Sequence, residues 1–294
     1  MMEGKRKIRF IINPVSGIGR QRIVERRVEK YLDHSKFEHE ICYTEFAGHA
    51  VDLSRDAAEQ GVDIVVAAGG DGSINEVARG VLGSKTAIGI IPVGSGNGLA
   101  HFLRIPRSIK KALRIINRHN VKIIDTANIN DKLFVSIAGI GFDAYVAEKF
   151  ARSTVRGFWT YAWIILKEYT LFKSNHFKFY INGEMIKRRA FMVSFANSDQ
   201  FGFNCAIAPK AKIDDGLLDV CIVSKPNILF APLLVPLMFA KVIDITPWIE
   251  IIRTSEIHCF QLKNFIAHID GDQVHLTKEL IVKVNPASVR VLVP

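Results

Sequence analysis

Three glycines, a carboxylate and a hydroxyl fall within five consecutive positions, Gly69-Gly70-Asp71-Gly72-Ser73, directly after an apolar run. Glycine loses more conformational entropy on folding than any other residue, so this density requires positive φ angles or the close approach of another group. Without Cβ atoms a triphosphate can reach backbone N–H groups, while Ser73 caps or donates and Asp71 holds Mg²⁺ or accepts a proton. The simpler alternative is a tight strand-to-helix turn with a capping aspartate.

Two further loops combine glycines with small hydrogen-bond donors at the end of an apolar run. They are Pro92-Val93-Gly94-Ser95-Gly96-Asn97-Gly98 and Asn13-Pro14-Val15-Ser16-Gly17. Backbone N–H groups, hydroxyls and amides at the start of a helix suit an anion. The loop at 13–17, taken alone, is also typical of a plain turn. The chain has no G-x-x-x-x-G-K-[ST] sequence, which excludes a Walker P-loop.

The elements that must position these loops alternate between apolar runs and helical patterns. Such alternation predicts βαβ units with a parallel sheet, and the ligands of such sheets bind beyond the carboxyl ends of the strands. Every glycine-rich segment of this half of the chain falls there. The predicted strands are Ile8–Ile12, Glu40–Thr44, Ile64–Ala68 and Ala87–Ile91, and the predicted helices are Arg22–Leu32, Ala50–Gln60, Ile74–Leu82 and a basic helix near residues 107–118.

After Asp125 the pattern changes to short β-branched and aromatic runs. The turn signals Asn182-Gly183, Asp215-Gly216 and Asp270-Gly271 favour antiparallel strands. We therefore predict an α/β domain over residues 1–124 and a second domain of antiparallel strands over residues 125–286. The predicted strands are Phe134–Ile137, Phe177–Ile181, Ala190–Ala196, Leu218–Val223, Glu256–Leu262, Phe265–Ile269 and Ile281–Val284, with helical patterns at Trp159–Phe172 and Ile228–Val242.

The chain is basic, with a formal net charge of +10. This excess makes an anionic partner plausible, such as a nucleotide, a phosphorylated substrate or a membrane surface. Residues 100–124 carry seven Lys or Arg and no acid. In the predicted basic helix, a solvated face and a phosphate or membrane contact both remain open. The basic residues that share one face are Arg107, Lys110, Lys111, Arg114 and Arg118, opposite Ile109, Leu113 and Ile116.

The cysteines and the most apolar segment narrow the class of protein. The four cysteines lack C-x-x-C spacing, which argues against zinc and fits reduced thiols in a cytoplasm. No signal peptide is expected, because the chain runs from a basic start into a strand. The apolar segment Ile228–Ala240 is too short to span a bilayer and contains two prolines. We predict that this segment and the aromatic residues of Trp159–Phe172 lie in the core rather than against a membrane.

Six motifs occur in a fixed order along the chain, and together they resemble the diacylglycerol kinase catalytic domain superfamily, which includes bacterial lipid kinases and sphingosine kinases. The resemblance covers nearly the whole chain. It implies an ATP-dependent lipid kinase with a nucleotide-binding α/β domain, an antiparallel β-sandwich domain of NAD-kinase-like architecture, and an active site between them. It also implies that residues 287–294 pack back on the first domain. The motifs are Asn13-Pro14 with Ser16-Gly17, Gly69 to Ser73, Pro92 with Gly94 to Asn97, Ile140-Gly141-Phe142-Asp143, Ala208-Pro209 with Asp214 to Asp219, and Asp270-Gly271-Asp272.

The resemblance also implies a role for individual residues. The metal position falls on Asp215, with the main-chain oxygens of Lys212 and Leu217 as companions. The proton acceptor falls on Asp272, and Asp71 is the competing base, otherwise assigned to the nucleotide and metal end. The implied ATP site consists of Asn13, Pro14, Ser16, Gly17, Thr44, Gly70, Asp71, Gly72, Ser73, Asn75, Glu76, Gly94, Ser95 and Asn97.

Two departures from the family pattern leave the lipid open. Bacterial members usually show Gly-Thr-x-Asn-Asp and Asp-Gly-Glu where this chain has Ser95-Gly96-Asn97-Gly98 and Asp270-Gly271-Asp272. The first variant looks more like sphingosine kinases, and the shorter Asp272 reaches one methylene less far than Glu. The basic head-group residues of the bacterial enzymes have no clear match. Asp143 is predicted to be a turn or sheet-end residue rather than a substrate contact.

The resemblance implies a lipid alcohol as substrate, either diacylglycerol or a sphingoid long-chain base, with ATP and Mg²⁺ as cofactors. It implies a cytoplasmic protein in peripheral contact with the inner face of the membrane, without a nucleic acid partner, and leaves the oligomeric state open, a dimer included. Two alternatives remain: a kinase for a soluble substrate such as NAD, and a catalytically silent regulator that binds lipid or nucleotide. The Ala-Pro and Asp-Asp-Gly-Leu motifs argue against NAD.

Overall fold

The protein, described here from a computed structural model, divides into two compact units. The structure describes residues 5–16, 21–151, 153, 158–261 and 265–294. Unit 1 comprises Met1–Ile124 with Ala287–Pro294, and unit 2 comprises Asp125–Pro286. Each unit has its own strands and its own buried core.

Strands and helices alternate in unit 1, whereas strands dominate unit 2. The elements of unit 1 are β1 (Arg6–Ile12), α1 (Gln21–Tyr31), β2 (Phe37–Tyr43), α2 (His49–Glu59), β3 (Ile64–Gly69), α3 (Asp71–Val81), β4 (Ala87–Pro92), α4 (Gly98–Phe102) and α5 (Ile109–Arg118). Then follow β5 (Val121–Ile129), β6 (Lys132–Phe134), β7 (Ile137–Gly141), α6 (Phe142–Ala151), α7 (Phe158–Tyr169), β8 (Asn175–Ile181), β9 (Glu184–Ala190), β10 (Met192–Ala196), β11 (Leu218–Val223), α8 (Ala231–Phe239), a 3₁₀ turn (Ile243–Ile245), β12 (Ile249–Thr254), β13 (Glu256–Phe260), β14 (Phe265–Ile269), β15 (Asp272–Leu276) and β16 (Glu279–Leu292).

Unit 1 is built on a parallel sheet with the strand order β2-β1-β3-β4. Strands β3 and β4 are buried along their whole length, as parallel strands covered on both faces require. The end of β16 lies beside β4 in parallel, with Arg290 opposite Ala87. The predicted parallel α/β architecture of this half of the chain is therefore confirmed.

The basic helix forms as its pattern predicts. Helix α5 buries Leu113 and Ile116, and its four basic side chains, Lys110, Lys111, Arg114 and Arg118, are exposed. Arg107 is also exposed, but it precedes the helix. Lys110 Nζ lies 5.0 Å from the centre of the Tyr31 ring. The basic face is thus a surface of unit 1, packed on one side only.

A buried cation ties helix α2 to the sheet. Arg9 on β1 is 5% exposed and donates to Glu40 at 2.5 Å, to Asp56 at 2.6 Å and to the Leu53 carbonyl at 2.9 Å. The hydrogen bond from Arg9 is the main cause that lowers the pKa of the Asp56 carboxyl below its ordinary value. Nothing in the sequence pattern distinguishes this arginine from the exposed basic residues around it.

Unit 2 is built from two groups of antiparallel strands around one core. One group has the order β12-β11-β10-β7-β14-β15, and the other joins β16, β13, β8 and β9, with β5 and β6 beside β16. Phe177 from β8 stacks on Phe265 from β14 at 6.2 Å between ring centres, and Phe179 and Phe195 are buried in the same cluster. The predicted antiparallel β domain is confirmed.

The predicted strand at residues 134–137 is wrong, because the chain leaves strand geometry between β6 and β7. The carboxylate of Asp270 accepts the backbone N–H groups of Val135 at 2.8 Å and Ser136 at 2.9 Å. These N–H groups are satisfied by a side chain, so they do not enter a sheet ladder.

The prediction that α7 and the 228–240 segment lie in the core is wrong for much of both. Trp159 and Trp163 on α7 are 82% and 66% exposed, and no residue of α8 is buried. Helix α8 is also shorter than predicted and contains Pro236. A uniformly apolar helix is usually buried. Local sequence does not tell whether another element of the fold packs over the helix. Among the described residues, no helix combines the length and the hydropathy needed to cross a bilayer.

Candidate functional site

The loops that follow the parallel strands of unit 1 meet at the carboxyl edge of the sheet. Backbone hydrogen bonds continue past the ends of the strands and hold these loops in register. The Asn13 N–H donates to the Ala68 carbonyl at 3.1 Å, and the Val93 N–H donates to the Gly69 carbonyl at 3.1 Å. The segments after β1, β3 and β4, which the sequence analysis selected separately, therefore belong to one surface.

The loops after β3 and β4 touch at Gly70 and Gly94. A Cβ built on Gly94 would stand 2.5 Å from the Gly70 Cα, whereas a Cβ on Gly70 would stand 3.5 Å from the Gly94 Cα. The first distance is a clash and the second an ordinary contact. Gly94 is thus required by the approach of the two backbones, and the group that approaches it closely is the Gly70 loop.

A third glycine makes room for side chains of the site itself. A Cβ on Gly69 would stand 2.2 Å from Ser73 Oγ. Ser73 Oγ in turn accepts a hydrogen bond of 3.3 Å from Asn13 Nδ2, and Asn13 Oδ1 accepts the Val15 N–H at 3.0 Å. The small residue at 69 therefore allows the loop after β1 and the first turn of α3 to be linked by side chains.

Asp71 is the first residue of α3 and faces the neighbouring loop. The Leu99 N–H donates to its Oδ1 at 3.4 Å, and a Cβ on Gly96 would stand 3.3 Å from its Oδ2. A carboxylate among glycine-rich loops repels phosphate unless a cation lies between them. Asp71 is therefore the carboxylate of this edge that would need a cation beside it if phosphate approached.

Asn97 organises the loop after β4. It adopts a left-handed backbone conformation, precedes α4 and donates from Nδ2 to the Gly94 carbonyl at 2.7 Å. Its Oδ1 is buried and has no hydrogen-bond partner among the described residues. Ser95, two residues earlier, is exposed. Asn97 therefore shapes the loop from within, and Ser95 presents its hydroxyl at the surface.

Glu76 has a structural role that the sequence did not reveal. Its carboxylate accepts the Gly48 N–H at 2.9 Å and the Ala50 N–H at 3.2 Å, at the start of α2. A carboxylate satisfies the free N–H groups of a helix N-terminus. Glu76 thereby holds the segment that follows Thr44, while Asn75 beside it is buried.

The remaining residues of the predicted ATP site lie near the same edge of unit 1. Pro14, Ser16, Thr44 and Gly72 are half-buried, and the Ser16 N–H donates to the Asn13 carbonyl at 3.2 Å. Gly17 lies outside the described residues. The structure thus brings the described members of the predicted set to one surface of unit 1, although Glu76 and Asn97 contact protein rather than open space.

In unit 2 the two aspartates of the Asp270-Gly271-Asp272 motif have different environments. Asp270 is 9% exposed, and its carboxylate accepts three backbone N–H groups, the third from Ile137 at 3.0 Å. Asp270 and Gly271 form the two-residue turn between β14 and β15, where Ile269 pairs with Asp272. Asp272 begins β15 and is exposed. Asp270 is therefore structural, and Asp272 is the carboxylate of the motif that the surface presents.

Asp143 forms a buried pair that the sequence analysis missed. Its Oδ2 lies 3.2 Å from His268 Nε2, and Ser194 Oγ donates to the same oxygen at 3.3 Å. A Cβ on Gly139 would stand 2.0 Å from Asp143 Oδ2, so only glycine leaves room for the pair. His268 is 125 residues away in sequence, and no spacing pattern connects it to Asp143. The pair fastens α6 to β14, the strand before the Asp270 turn.

The surroundings of Asp215 do not fit a resident cation. The Arg253 guanidinium pairs with Asp215 Oδ2, and the Leu217 N–H donates to Oδ1 at 3.1 Å. Arg253 also lies 3.7 Å from Asp219. No group of three His, Cys, Asp or Glu side chains in the described part of the chain is suited to a metal. Arg253 already supplies the positive charge that the metal was predicted to supply, and Lys212 is exposed nearby in sequence.

The chain is similar to known families over both of its units. Residues 7–129 match the diacylglycerol kinase catalytic domain, and residues 136–293 match the YegS C-terminal NAD kinase beta sandwich-like domain. The two matches follow one another in the order of the two units.

Individual relatives agree with these matches. A protein of Cronobacter sakazakii named as a probable YegS-like lipid kinase is 31% identical over 74% of this chain and 77% of its own length. A diacylglycerol kinase of Bacillus subtilis is 30% identical over 76% of this chain and 75% of its own length. Alignments with these and other curated relatives span from 58% to 83% of the relative's length.

A solved structure has the same fold. The crystal structure of a diacylglycerol kinase from Bacillus anthracis superposes with a TM-score of 0.77 at 20% identity, over 99% of this chain and 98% of that one. At this identity the superposition establishes the fold only.

Proposed function

The chain belongs to the diacylglycerol kinase catalytic domain family, and on that premise we propose that it is an ATP-dependent lipid kinase. The proposed reaction transfers the γ-phosphate of ATP to a hydroxyl of diacylglycerol or of a sphingoid long-chain base. The names of its relatives favour diacylglycerol. The Ser95-Gly96-Asn97 sequence favours a sphingoid base, so the experiment below compares the two.

The observation that carries the proposal is the contact between the Gly70 and Gly94 loops. It brings the N-terminus of α3 beside the loop after β4. Helix α3 has 11 residues, enough for an appreciable dipole at that end. The first N–H groups of an α-helix have no partner within the helix, and the positive end of the dipole favours phosphate oxygens there. Two such loops side by side support a polyphosphate site rather than a simple turn.

The residues of unit 1 take defined roles in this proposal. The backbone around Gly70 and Gly94 binds phosphate oxygens, and the hydroxyls of Ser16, Thr44 and Ser95 supply further donors at the surface. Asp71 would hold Mg²⁺, which would neutralise charge on the phosphates. Phosphoryl transfer depends mainly on positioning and charge neutralisation, so these parts are sufficient on the nucleotide side.

In unit 2 we assign Asp272 as the general base. As the lipid oxygen forms its bond to the γ-phosphorus, its proton passes to an oxygen of the Asp272 carboxylate. The bond between the γ-phosphorus and the bridging oxygen breaks, and ADP leaves with that electron pair. Asp270, held by three N–H groups, fixes the turn from which Asp272 projects. Asp71 is the competing base, because it is the carboxylate that faces the glycine-rich loops of unit 1.

The test is a transfer assay with purified protein, γ-labelled ATP and Mg²⁺. Separate reactions contain mixed micelles of diacylglycerol, a sphingoid base or monoacylglycerol, and one contains NAD instead of lipid. We expect label in one of the lipids. Label in NAD alone would contradict the lipid kinase proposal and indicate a kinase for a soluble substrate. Label in none of the acceptors, with ATP still bound by the protein, would favour a catalytically silent regulator.

A further inference from the structure

The motif Ile140-Gly141-Phe142-Asp143 has no part in the proposed reaction, although its aspartate is buried among polar partners. Asp143 lies in the first turn of α6 and is 6% exposed. Its Oδ1 accepts the Ala144 N–H at 2.8 Å, and its Oδ2 accepts from Ser194 Oγ at 3.3 Å. His268 Nε2 lies 3.2 Å from the same Oδ2. Because a carboxylate oxygen only accepts, Nε2 of His268 is the donor of this hydrogen bond.

Stability alone does not account for the pair of Asp143 and His268. His268 is 5% exposed, Ser194 is fully buried, and Nδ1 of His268 has no hydrogen-bond partner among the described residues. Gly139, which pairs in the sheet with both Ser194 and His268, must stay small, because a Cβ there would stand 2.6 Å from His268 Nε2. Replacing a buried polar pair by apolar residues of similar volume is often neutral or stabilising. We therefore looked for a role in the neighbouring elements.

The pair lies at the base of the hairpin that carries Asp272. His268 belongs to β14, and two residues later the chain turns at Asp270-Gly271. On the returning strand β15, His268 pairs with Gln273, the residue next to Asp272. The imidazole that donates to Asp143 is thus one position away from Asp272 across the hairpin.

Strand β15 has few other supports. In the described part of the chain it is the last strand of its sheet, and β14 is its neighbour there. Helix α6 packs against both β14 and β15. The position of Asp272 therefore depends on β14 and α6, and the hydrogen bond between His268 and Asp143 joins these two elements. The carboxylate of Asp270, bound to three N–H groups of residues 135–137, holds the turn itself.

We propose that His268 and Asp143 are positioning residues that fix the Asp272 carboxylate for phosphoryl transfer. Their hydrogen bond holds α6 against β14, and together with the Asp270 turn it gives the start of β15 one orientation. Neither residue contacts the substrate, and His268 takes up no proton, since its free nitrogen is buried. The inference rests on the proposed function in that Asp272 is the base, whereas the hold on the hairpin requires no catalysis.

The test compares His268→Leu with His268→Gln, whose side-chain amide restores a donor near the position of Nε2. We expect His268→Leu to lower kcat by about 10- to 100-fold at an unchanged KM for ATP, and His268→Gln to recover most of this loss. Hydrogen exchange of the amides of residues 272–276 should be about tenfold faster in His268→Leu. The matched control is Tyr145→Phe, which removes the 3.0 Å hydrogen bond from α6 to Glu168 and leaves kcat and exchange unchanged.

A double-mutant cycle with Asp272→Asn shows whether the pair acts through Asp272. In the Asp272→Asn background, His268→Leu should lower the residual transfer no further, because no base remains to be positioned. If His268→Leu does not fold, Ser194→Ala takes its place, since it removes only a hydroxyl that donates to Asp143. This variant should show a smaller loss of kcat, which again disappears in the Asp272→Asn background.

Three results would overturn the inference. One is the full loss from His268→Leu in the Asp272→Asn background, because the pair would then act on another part of the site. The others are kcat and hydrogen exchange equal to those of the wild type in His268→Leu, and equal losses in His268→Leu and His268→Gln.

The two proposals fail separately in these measurements. Wild-type protein that binds ATP and transfers no phosphate contradicts the proposed function. Faster exchange of residues 272–276 in His268→Leu then still supports the hold on the hairpin, and unchanged exchange overturns it. Transfer by the wild type with no effect of His268→Leu leaves the proposed function standing and removes the inference.

Discussion

Replacing Gly94 by alanine tests whether the glycines of the site serve contact between loops or only the approach of a ligand. In the structure the added Cβ would stand 2.5 Å from the Gly70 Cα and 2.9 Å from Asn97 Oδ1. Carbon atoms in contact lie about 3.5–4.0 Å apart, so one loop must move by about 1 Å. Overpacking of this kind costs about 1–3 kcal/mol. We therefore expect Gly94→Ala to lower the free energy of unfolding by that amount.

The same substitution on the other side of this contact, Gly70→Ala, provides the control. The Cβ of Gly70→Ala would stand 3.5 Å from the Gly94 Cα, and the backbone of Gly70 has a φ of −98°, which alanine adopts without strain. We expect Gly70→Ala to change the free energy of unfolding by less than about 1 kcal/mol. Any loss of ATP affinity in this variant then reports on the ligand rather than on the fold.

The assay is urea unfolding of both variants without nucleotide, followed by ATP binding and phosphoryl transfer. A displacement of about 1 Å in Gly94→Ala also lowers the rate of transfer by about 100-fold, because reacting groups tolerate little misplacement. If Gly94→Ala unfolds at the same urea concentration as the wild type, the two loops do not depend on the missing Cβ and the argument from their contact fails.

Four further outcomes follow from the contacts described above. Asp272→Asn should retain ATP binding and lose transfer by about 10²-fold or more, measured in the labelling assay, and substantial residual turnover would move the base to Asp71. Asp270→Ala leaves three backbone N–H groups without their acceptor and should lower the free energy of unfolding by about 3 kcal/mol, measured in urea, with an unchanged midpoint contradicting its structural role. The pKa of the Asp56 carboxyl is lowered in the folded protein, chiefly by the hydrogen bond from Arg9. The ionised Asp56 therefore stabilises the fold fully above the carboxyl's unfolded pKa of about 4, and this stabilisation is lost as the pH falls through the lower folded pKa. The midpoint temperature of thermal unfolding should therefore fall over that acidic range by more in the wild type than in Arg9→Met. Parallel plots of midpoint against pH for the two proteins would contradict this linkage. Because Arg253 compensates Asp215, the thermal midpoint without nucleotide should be equal in EDTA and in Mg²⁺, and a rise with Mg²⁺ would restore the predicted metal site.

Much of the fold and of the glycine-rich surface of unit 1 follows from local sequence. The apolar runs before Asn13, Gly69 and Pro92 form the parallel strands, because strands buried on both faces are continuously apolar. The loops after them are brought together by the sheet itself, since carboxyl ends of parallel strands share one edge. The strand order is the information that turns three separate motifs into one surface.

The errors arise where contacts between distant residues decide the outcome. Asp270 withdraws backbone groups from a strand more than 130 positions earlier in the chain. Glu76 accepts backbone N–H groups at the start of α2, 26 to 28 residues away in sequence. Arg253 pairs with Asp215, which is 38 residues away in sequence. None of these partners stands at a recurrent spacing. A sequence motif identifies a polar residue. Only the fold shows which other group forms a hydrogen bond or an ion pair with that residue.

The exposure of α7 and α8 was mispredicted for a different reason. Hydropathy measures the tendency of a segment to leave water. It does not indicate whether the segment packs against the rest of the protein or is covered by something outside the protein. The same 228–240 pattern is compatible with a core helix and with a surface helix. The difference lies in whether another element of the fold packs over it, which no local window of sequence contains.

The last strand gives the chain an order of assembly. Residues 279–286 of β16 belong to unit 2, whereas its end lies beside β4 in unit 1. During synthesis the ribosome must therefore complete the whole of unit 2 before the final strand of unit 1 exists. Until then β4 is an open edge, able to pair with any passing strand. A nascent or truncated chain that ends before residue 287 thus carries a first unit whose sheet lacks this strand, and its β4 edge is open to pairing with other chains.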